Sequence, residues 1–211
     1  MSSYLIKKET EPLIWSGNFT YPGLIRKRTE RDGSCYFHAI IDGFYMPYRT
    51  GIIDGRPFNR EIFIKRARKD LAIKLSEKNE KGITYYDSIS RGELKNLSKN
   101  VKEVSLKNMQ KELLSDSEVS YIYHELISDL YDLDVYILDY IKKDVRIIDS
   151  DLSLYYKNRR SVVILYLPGH FELVGIRRNG ILKTLFSPKD DFIIYIRKRM
   201  EKLLKDIIKK K

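Results

Sequence analysis

The sequence contains only one cysteine, three histidines and one tryptophan among its 211 residues. A single cysteine excludes an internal disulfide, so the fold must be held by packing, and a free thiol suits a reducing compartment. The cysteine and the histidines match no zinc-binding spacing. The phosphate-binding pattern Gly-x-x-x-x-Gly-Lys-Ser/Thr is also missing. We therefore predict a protein that works without a metal or any other cofactor.

Long apolar runs are missing as well. No stretch approaches the roughly 18 consecutive apolar residues that indicate a membrane-spanning helix. The first residues, Met1–Glu9, lack the apolar core of a signal peptide. These absences predict a soluble, cytoplasmic protein.

The composition is that of a globular chain with an excess of positive charge. Apolar residues make up 43% of the sequence, and the length suits a single domain over residues 1–211. The net charge of +11 favours acidic partners. Lysines are interleaved with acidic residues along the predicted helices, however, and such faces usually face water. We therefore expect that the protein does not bind nucleic acid. We also expect a monomer.

The order of predicted elements is helices first and strands later. Apolar residues recur at helical spacing over 35–48, 59–77 and 118–131. Short β-rich runs follow, and Asn179-Gly180 between two of them predicts a hairpin; the runs are 135–138, 145–148, 162–167, 171–176 and 181–186. The fold class is therefore predicted as α/β (α+β-like), with helices packed around a small, mostly antiparallel sheet.

Three segments depart from this pattern. Residues 1–24 contain prolines and glycines that break any regular period, which predicts an irregular lead-in. Residues 78–116 are polar with weak periodicity, and we expect short helices and loops that shape a partner-binding arm. Residues 197–211 carry apolar residues on one helical face and lysines on the other. This last pattern predicts a basic amphipathic helix.

The only cysteine follows a turn-forming stretch, in Asp-Gly-Ser-Cys-Tyr-Phe (32–37). The run after Cys35 is apolar and helical, so the thiol is predicted at a helix N-terminus, where the macrodipole and free N–H groups favour a thiolate. The N–H groups of the turn, including that of Cys35, are candidates for an oxyanion hole. A side chain at Gly33 would block the turn or an approaching carbonyl.

A histidine begins a strand-like run far downstream, in Pro-Gly-His-Phe-Glu (168–172). A thiol followed much later by an imidazole is the chain order of several cysteine peptidases. Because side chains alternate along a strand, Glu172 should share a face with His170 and could orient its ring. The other two histidines are His38 and His124, and we interpret both as structural. His38 is also a candidate for the wall of the cleft.

Together, the segments 32–37 and 169–172 resemble the ovarian tumour (OTU) family of deubiquitinating cysteine proteases. The resemblance extends from about residue 25 to about residue 196, and only these two segments are specific. It implies a papain-like cysteine protease fold and thiol-dependent hydrolysis of the isopeptide bond between ubiquitin and lysine. The implied partners are ubiquitin, polyubiquitin chains and ubiquitin-like modifiers. A compact chain of this kind is similar to OTU proteases of viruses and other pathogens, which implies a host cytoplasm.

The resemblance also implies roles for individual residues. Cys35 is the expected nucleophile, and His170 is the expected general base and acid. The family usually has Asp or Asn where Glu172 stands, so two assignments stay open: Glu172 orients His170, or Asp32 completes the triad or shapes the oxyanion-hole turn. The remaining motif residues are expected to contact substrate: Gly33, Ser34, Gly169 and Phe171.

Three other functions remain as alternatives. Gly-Ser-Cys followed by an aromatic residue also imitates a papain-like peptidase of other specificity, although position 32 lacks the cysteine of that motif. A catalytically inert OTU fold that only binds ubiquitin would keep the same sequence features. A nucleic-acid-binding protein is supported by charge alone.

Overall fold

A mixed β-sheet of eight strands organises the protein, whose computed structural model describes residues 9–90, 104–119, 121–148 and 151–209. Along the sheet the order is β1-β2-β8-β7-β5-β6, with β9 beside β8, β10 beside β7, and β3–β4 as a separate hairpin. Among the described pairs, β5–β7 is parallel and the others are antiparallel. The strands are β1 Thr10–Pro12, β2 Leu24–Lys27, β3 Ile52–Ile53, β4 Arg56–Pro57, β5 Leu133–Asp139, β6 Asp144–Arg146, β7 Arg160–Leu167, β8 His170–Arg178, β9 Ile181–Lys183 and β10 Leu185–Phe186.

Helices cover both faces of this sheet. One face packs against a helical layer that contains α1, α3, α5 and α6, and the other packs against α7 and the N-terminal segment. Short 3₁₀ turns lie at Tyr121–Tyr123 and Leu152–Leu154. The helices are α1 Cys35–Phe44, α2 Met46–Thr50, α3 Arg60–Ser76, α4 Tyr85–Ser90, α5 Leu106–Leu114, α6 His124–Leu130 and α7 Asp191–Ile208.

The central strand β7 explains the two cores. Its run Val162-Val163-Ile164-Leu165 is fully buried, and side chains alternate between the faces of a strand. Val162 and Ile164 therefore join the core beneath α1, whereas Val163 and Leu165 join the core beneath α7. An unbroken apolar run is what a strand buried on both faces requires.

The predicted fold class is confirmed: the molecule is mixed α/β with a mainly antiparallel sheet. The helix predicted over 59–77 is α3, and the region predicted as a helix over 118–131 contains a 3₁₀ turn followed by α6. Asn179-Gly180 does join two antiparallel strands, β8 and β9. No helix among the described residues is long and apolar enough to cross a membrane.

The irregular lead-in expected over residues 1–24 needs correction. Thr10–Pro12 forms β1, and Leu24 begins β2, which lies between β1 and β8 inside the sheet. The intervening residues are aperiodic, as expected, but Phe19 is fully buried beside α7. Residues 1–8 lie outside the described part of the chain.

Two helix expectations also change. The apolar spacing over 59–77 predicts that Ile62 shares the core face with Ala67 and Leu71. In α3, however, Ile62 is 64% exposed and Ile64 is buried instead. The C-terminal helix begins at Asp191 rather than Arg197, because Asp190 caps it by accepting a hydrogen bond from Phe192 N–H. One face of its first turns is buried, including Ile193 and Ile196, whereas its last turn is exposed. Of the expected arm, residues 91–103 lie outside the described residues.

Candidate active site

Cys35 is the first residue of α1, as the turn-to-helix pattern predicted. The residue is 7% exposed, and the backbone of Phe171 in β8 hydrogen-bonds its sulfur. Because Phe171 follows His170 directly, this contact places the thiol at the start of β8. The two residues that stand 135 positions apart in the sequence thus lie in one region of the fold.

His170 owes its position to a tight turn. Leu167 and His170 are paired across the β7–β8 hairpin, so only Pro168 and Gly169 connect the strands. Gly169 has φ of +67°, a left-handed conformation that favours glycine, and proline before it suits the first central position of such a turn. His170 is 5% exposed.

The neighbours of the His170 ring favour one tautomer. Thr29 Oγ1 lies 3.5 Å from Nε2, and Glu172 Oε1 lies 3.9 Å from the same nitrogen. The Thr29 hydroxyl donates its proton to the carbonyl of Phe171, so it can only accept from His170. We therefore assign the proton to Nε2. Nδ1 then carries the lone pair, as a base requires.

Burial shifts both titrations toward the neutral forms. Desolvation raises the pKa of the Cys35 thiol above its ordinary value, and the Asp32 and Glu118 charges raise it further. Desolvation lowers the pKa of His170, and the nearby Arg31 charge adds to this effect. The resting pair is therefore a neutral thiol and a neutral imidazole. This corrects our expectation that the helix N-terminus would favour a preformed thiolate.

Glu172 lies on the same face of β8 as His170, as the period of a strand predicted. It is 3% exposed, and desolvation raises its pKa against the opposing effect of Arg26. Arg26 Nη1 lies 3.5 Å from Glu172 Oε2. The carboxylate therefore lies between a guanidinium and the imidazole.

Asp32 has different partners. Its Oδ1 accepts a hydrogen bond from Ser34 N–H at 2.8 Å, which closes an Asx turn before α1. Its Oδ2 lies 2.9 Å from His38 Nε2, and His38 Nδ1 contacts the hydroxyl of Tyr48. The carboxyl is half exposed. Asp32 is thus bound to the turn and to His38, and its effect on His170 is electrostatic.

The turn itself is closely packed. A Cβ on Gly33 would lie 2.2 Å from the carbonyl oxygen of Asp116 and 2.7 Å from that of Ser117. The Gly33 carbonyl also accepts a hydrogen bond from Val119 N–H at 2.9 Å. Glycine is needed here because the 116–119 loop approaches the backbone, which explains the residue without any contact to substrate.

Of the other residues expected to contact substrate, Ser34 and Phe171 are buried and Gly169 is exposed. Ser34 is buried, and its Oγ accepts a hydrogen bond from Arg68 at 2.8 Å. Phe171 is buried edge-to-face against Tyr36, with ring centroids 4.8 Å apart. Gly169 is exposed at the tip of the hairpin turn. In this conformation the side chains of Ser34 and Phe171 belong to the protein interior.

Two cavities are lined by residues of the two motifs, and Cys35 lines neither of them. One, of about 600 Å³, is lined by Asp32, Gly33 and Ser34 and by residues of α3 and the 113–116 segment. The other, of about 550 Å³, is lined by His170, Glu172 and several residues of the 26–31 segment. The walls of the second cavity include Arg26, Arg28 and Arg31.

Among the described residues, one group has the geometry to hold a metal ion. Ligand atoms of Glu30, Asp32 and His38 all lie within 4.8 Å of one another. Both ring nitrogens of His38 already have partners, so an ion would have to displace Asp32 from Nε2. We assign no metal to this group.

Sequence reasoning missed several residues of the site, above all Thr29, Arg26 and Arg68. Thr29 and Arg26 could be found only once β2 was recognised, because the register that pairs Lys27 with Leu173 brings position 29 opposite position 171. Arg68 gave no signal, since an arginine in a charged helix is normally solvated.

Similarity to known proteins was found in structure and not in sequence. No protein-family model matches the sequence, and no curated protein matches it. Among solved structures, the chain is similar to an OTU domain in complex with ubiquitin, at 18% identity and a TM-score of 0.49, over 86% of this chain and 84% of that one.

Two viral OTU domain proteases are similar as well. That of Taggert virus is 12% identical with a TM-score of 0.40, over 74% of this chain and 90% of that one. That of Farallon virus is 12% identical with a TM-score of 0.35, over 79% and 99%. These solved structures are OTU domains, the family that the two sequence segments resemble.

The raised pKa of Cys35 gives a direct prediction. Only the thiolate is alkylated by iodoacetamide, so the alkylation rate should rise with pH through a midpoint above the ordinary thiol value of about 8.5. The same protein unfolded in urea is the control, because its one thiol should then titrate near about 8.5. A midpoint in the folded protein at or below about 7 would mean that a thiolate–imidazolium pair exists at rest.

Proposed function

We propose that this protein is a cysteine-type deubiquitinase that hydrolyses the isopeptide bond between the ubiquitin C-terminus and a lysine. The observation that carries the proposal is the contact of the Cys35 sulfur with the backbone of Phe171, the residue that follows His170. Ubiquitin as the substrate rests on the resemblance of segments 32–37 and 169–172 to the OTU family. Three further points stay predictions. They are activity on polyubiquitin and ubiquitin-like modifiers, location in a host cytoplasm, and a monomeric state.

The first half-reaction is acylation of the thiol. His170 Nδ1 takes the proton of Cys35 as the sulfur attacks the carbonyl carbon at the C-terminus of ubiquitin. The imidazolium then gives that proton to the lysine amine as the C–N bond breaks, which leaves a thioester on Cys35. Because thiol and imidazole are both neutral at rest, proton transfer accompanies attack, and the substrate does not meet a stored thiolate.

The oxyanion needs a hydrogen-bond donor near the sulfur. The N–H of Ser34 is occupied by the Asp32 carboxylate at 2.8 Å. The N–H of Cys35 makes only a long contact, 3.4 Å, with the carbonyl of Asp32. It is therefore the donor that can turn to the oxyanion at little cost.

The second half-reaction regenerates the thiol. Water attacks the thioester while His170 Nδ1 accepts its proton, and the imidazolium returns that proton to the leaving sulfur. Throughout, Nε2–H must stay directed away from Cys35, and Thr29 and Glu172 provide acceptors for it. The sequence left two acids as candidates for orienting His170. We propose that Glu172 has this role, because its Oε1 lies 3.9 Å from His170 Nε2. Asp32 instead holds the turn, because it accepts the hydrogen bond from Ser34 N–H.

The burial of the thiol favours one alternative, an inert fold that binds ubiquitin without cleaving it. Cys35 lines neither cavity, and its raised pKa lowers the fraction of thiolate at neutral pH. Activity therefore requires that substrate uncovers the sulfur. Cleavage of other peptides but not of ubiquitin would instead indicate a papain-like peptidase.

Incubation with a panel of linkage-defined diubiquitins tests the proposal. The wild-type protein should cleave at least one linkage. Cys35→Ala should abolish cleavage and keep ubiquitin binding, because it removes a sulfur atom and leaves the surface intact. His170→Ala should lose nearly as much, since members of a catalytic unit do not act additively. Lys202→Ala, an exposed position in α7, is the control.

Each outcome of this panel has a meaning. Cleavage that survives Cys35→Ala would contradict the thiol mechanism. Binding without cleavage by the wild-type protein would favour the inert fold. Binding of nucleic acid that weakens with salt and survives Cys35→Ala, without any ubiquitin binding, would favour the explanation from charge.

Two amide substitutions separate the acids. Glu172→Gln should lower kcat by about 10² or more, because the amide no longer stabilises an imidazolium. Asp32→Asn should cost less than about tenfold, because the amide oxygen can still accept from Ser34 N–H and keep the Asx turn. Glu77→Gln, exposed at the end of α3, is the control. A larger loss in Asp32→Asn than in Glu172→Gln would give the orienting role to Asp32.

A further inference from the structure

Arg68 is a buried cation whose hydrogen-bonding capacity is fully used. The residue lies in the middle of α3 and is 4% exposed. Its Nε donates to the carbonyl of Leu113, and its Nη2 donates to the carbonyls of Glu112 and Ser117, all at 2.8–2.9 Å. Its Nη1 donates to Ser34 Oγ at 2.8 Å and to the Gly33 carbonyl at 3.3 Å. All five N–H groups of a guanidinium thus have acceptors.

These five acceptors are neutral oxygens, four backbone carbonyls and the Ser34 hydroxyl, and they lie at three places in the fold. Two are carbonyls at the C-terminal end of α5, where the helix dipole favours a cation. A third comes from the loop after α5, and the last two belong to the turn before Cys35. Burying a guanidinium costs free energy that neutral partners offset less well than a carboxylate would. The nearby charges of Asp116 and Glu112 also favour the cation. An apolar side chain at this position would leave the buried carbonyls without a donor, so the arginine supplies hydrogen bonds that packing alone could not.

The turn that Arg68 contacts leads directly into the nucleophile. Gly33 and Ser34 precede Cys35, and their backbone sets the direction of the Cys35 N–H. The 116–119 loop holds the same turn from outside, through the Val119 N–H bond and the close approach to Gly33. Arg68 binds both this loop and the turn, so it fixes the position of one relative to the other.

We propose that Arg68 is a positioning residue, which holds the Gly33–Ser34 turn so that the Cys35 N–H is directed at the oxyanion during acyl transfer. This rests on the proposed function for its biological substrate, but the role concerns any acyl group on Cys35. Arg68 lines the cavity beside the turn, but this role requires no contact with a reacting atom. It acts through the turn.

Two small reagents separate this role from simple structural support. Acylation of Cys35 by p-nitrophenyl acetate passes through an oxyanion, whereas alkylation by iodoacetamide does not. In Arg68→Met, which keeps much of the side-chain volume, the acylation rate should fall about 10- to 100-fold. The alkylation rate should stay within about threefold of wild type, because the thiol keeps its burial and its distance from His170.

Controls come from the same helix and the same turn. Arg66→Met, two residues earlier and 79% exposed at its side chain, should change neither rate. Arg68→Lys should lie between wild type and Arg68→Met, because an ammonium supplies three donors in place of five. If Arg68→Met does not fold, Ser34→Ala removes one acceptor only and should still lower the ratio of acylation to alkylation.

The ratio of the two rates decides the outcome. A ratio that stays at the wild-type value in both Arg68→Met and Ser34→Ala would overturn the proposal. Equal changes in both rates, as an opened core would cause, would also overturn it and leave Arg68 a structural residue. The result is independent of the proposed function: a protein that ignores diubiquitin can still show the lowered ratio, and a deubiquitinase can lack it.

Discussion

The candidate site depends on how two backbone elements meet, the start of helix α1 and the start of strand β8. Two residues, Pro168 and Gly169, connect β7 to β8, and this fixes His170 as the first residue of a central strand. Helix α1 begins at Cys35 and packs on that same strand. The contact between the Cys35 sulfur and the Phe171 backbone lies where they meet. If the hairpin turn were longer, the start of β8 would no longer be defined by the pairing with Leu167.

The same packing that places the two groups also makes them less reactive at rest. Tyr36 and Phe171 are the residues that follow the thiol and the imidazole, and they pack edge-to-face in the core. Burial then raises the pKa of the thiol and lowers that of the imidazole. The burial that fixes the positions of Cys35 and His170 therefore also disfavours a thiolate–imidazolium pair. The proposed function therefore requires substrate to replace the contacts that cover the sulfur.

Short-range patterns were sufficient to predict part of this arrangement. The start of α1 at Cys35 and the hairpin at Asn179-Gly180 depend on neighbouring residues, so the sequence contains what determines them. The position of Glu172 on the face of His170 follows from strand geometry alone. The pairing of Cys35 with His170 was inferred from family resemblance, because no local rule brings residues so distant together.

Long-range contacts were not predictable in the same way. Strands β1 and β2 have three and four residues, and what stabilises them is pairing with distant partners. Thr29 and Arg26 were missed for that reason. In α3, Ile62 and Ile64 are equally apolar, and only the neighbouring helix α5 and the sheet decide that Ile64 is buried. Arg68 gains its five acceptors from residues 33–34 and 112–117, both more than 30 positions away in the sequence.

The most direct measurement is covalent labelling by ubiquitin that carries an electrophile at its C-terminus, with the modified residue located by mass spectrometry. We predict one adduct, on Cys35, that forms at least about tenfold more slowly in His170→Ala because the base is missing. No adduct on the folded wild-type protein, or equal labelling in His170→Ala, would contradict the claim that this thiol and this imidazole act together on ubiquitin.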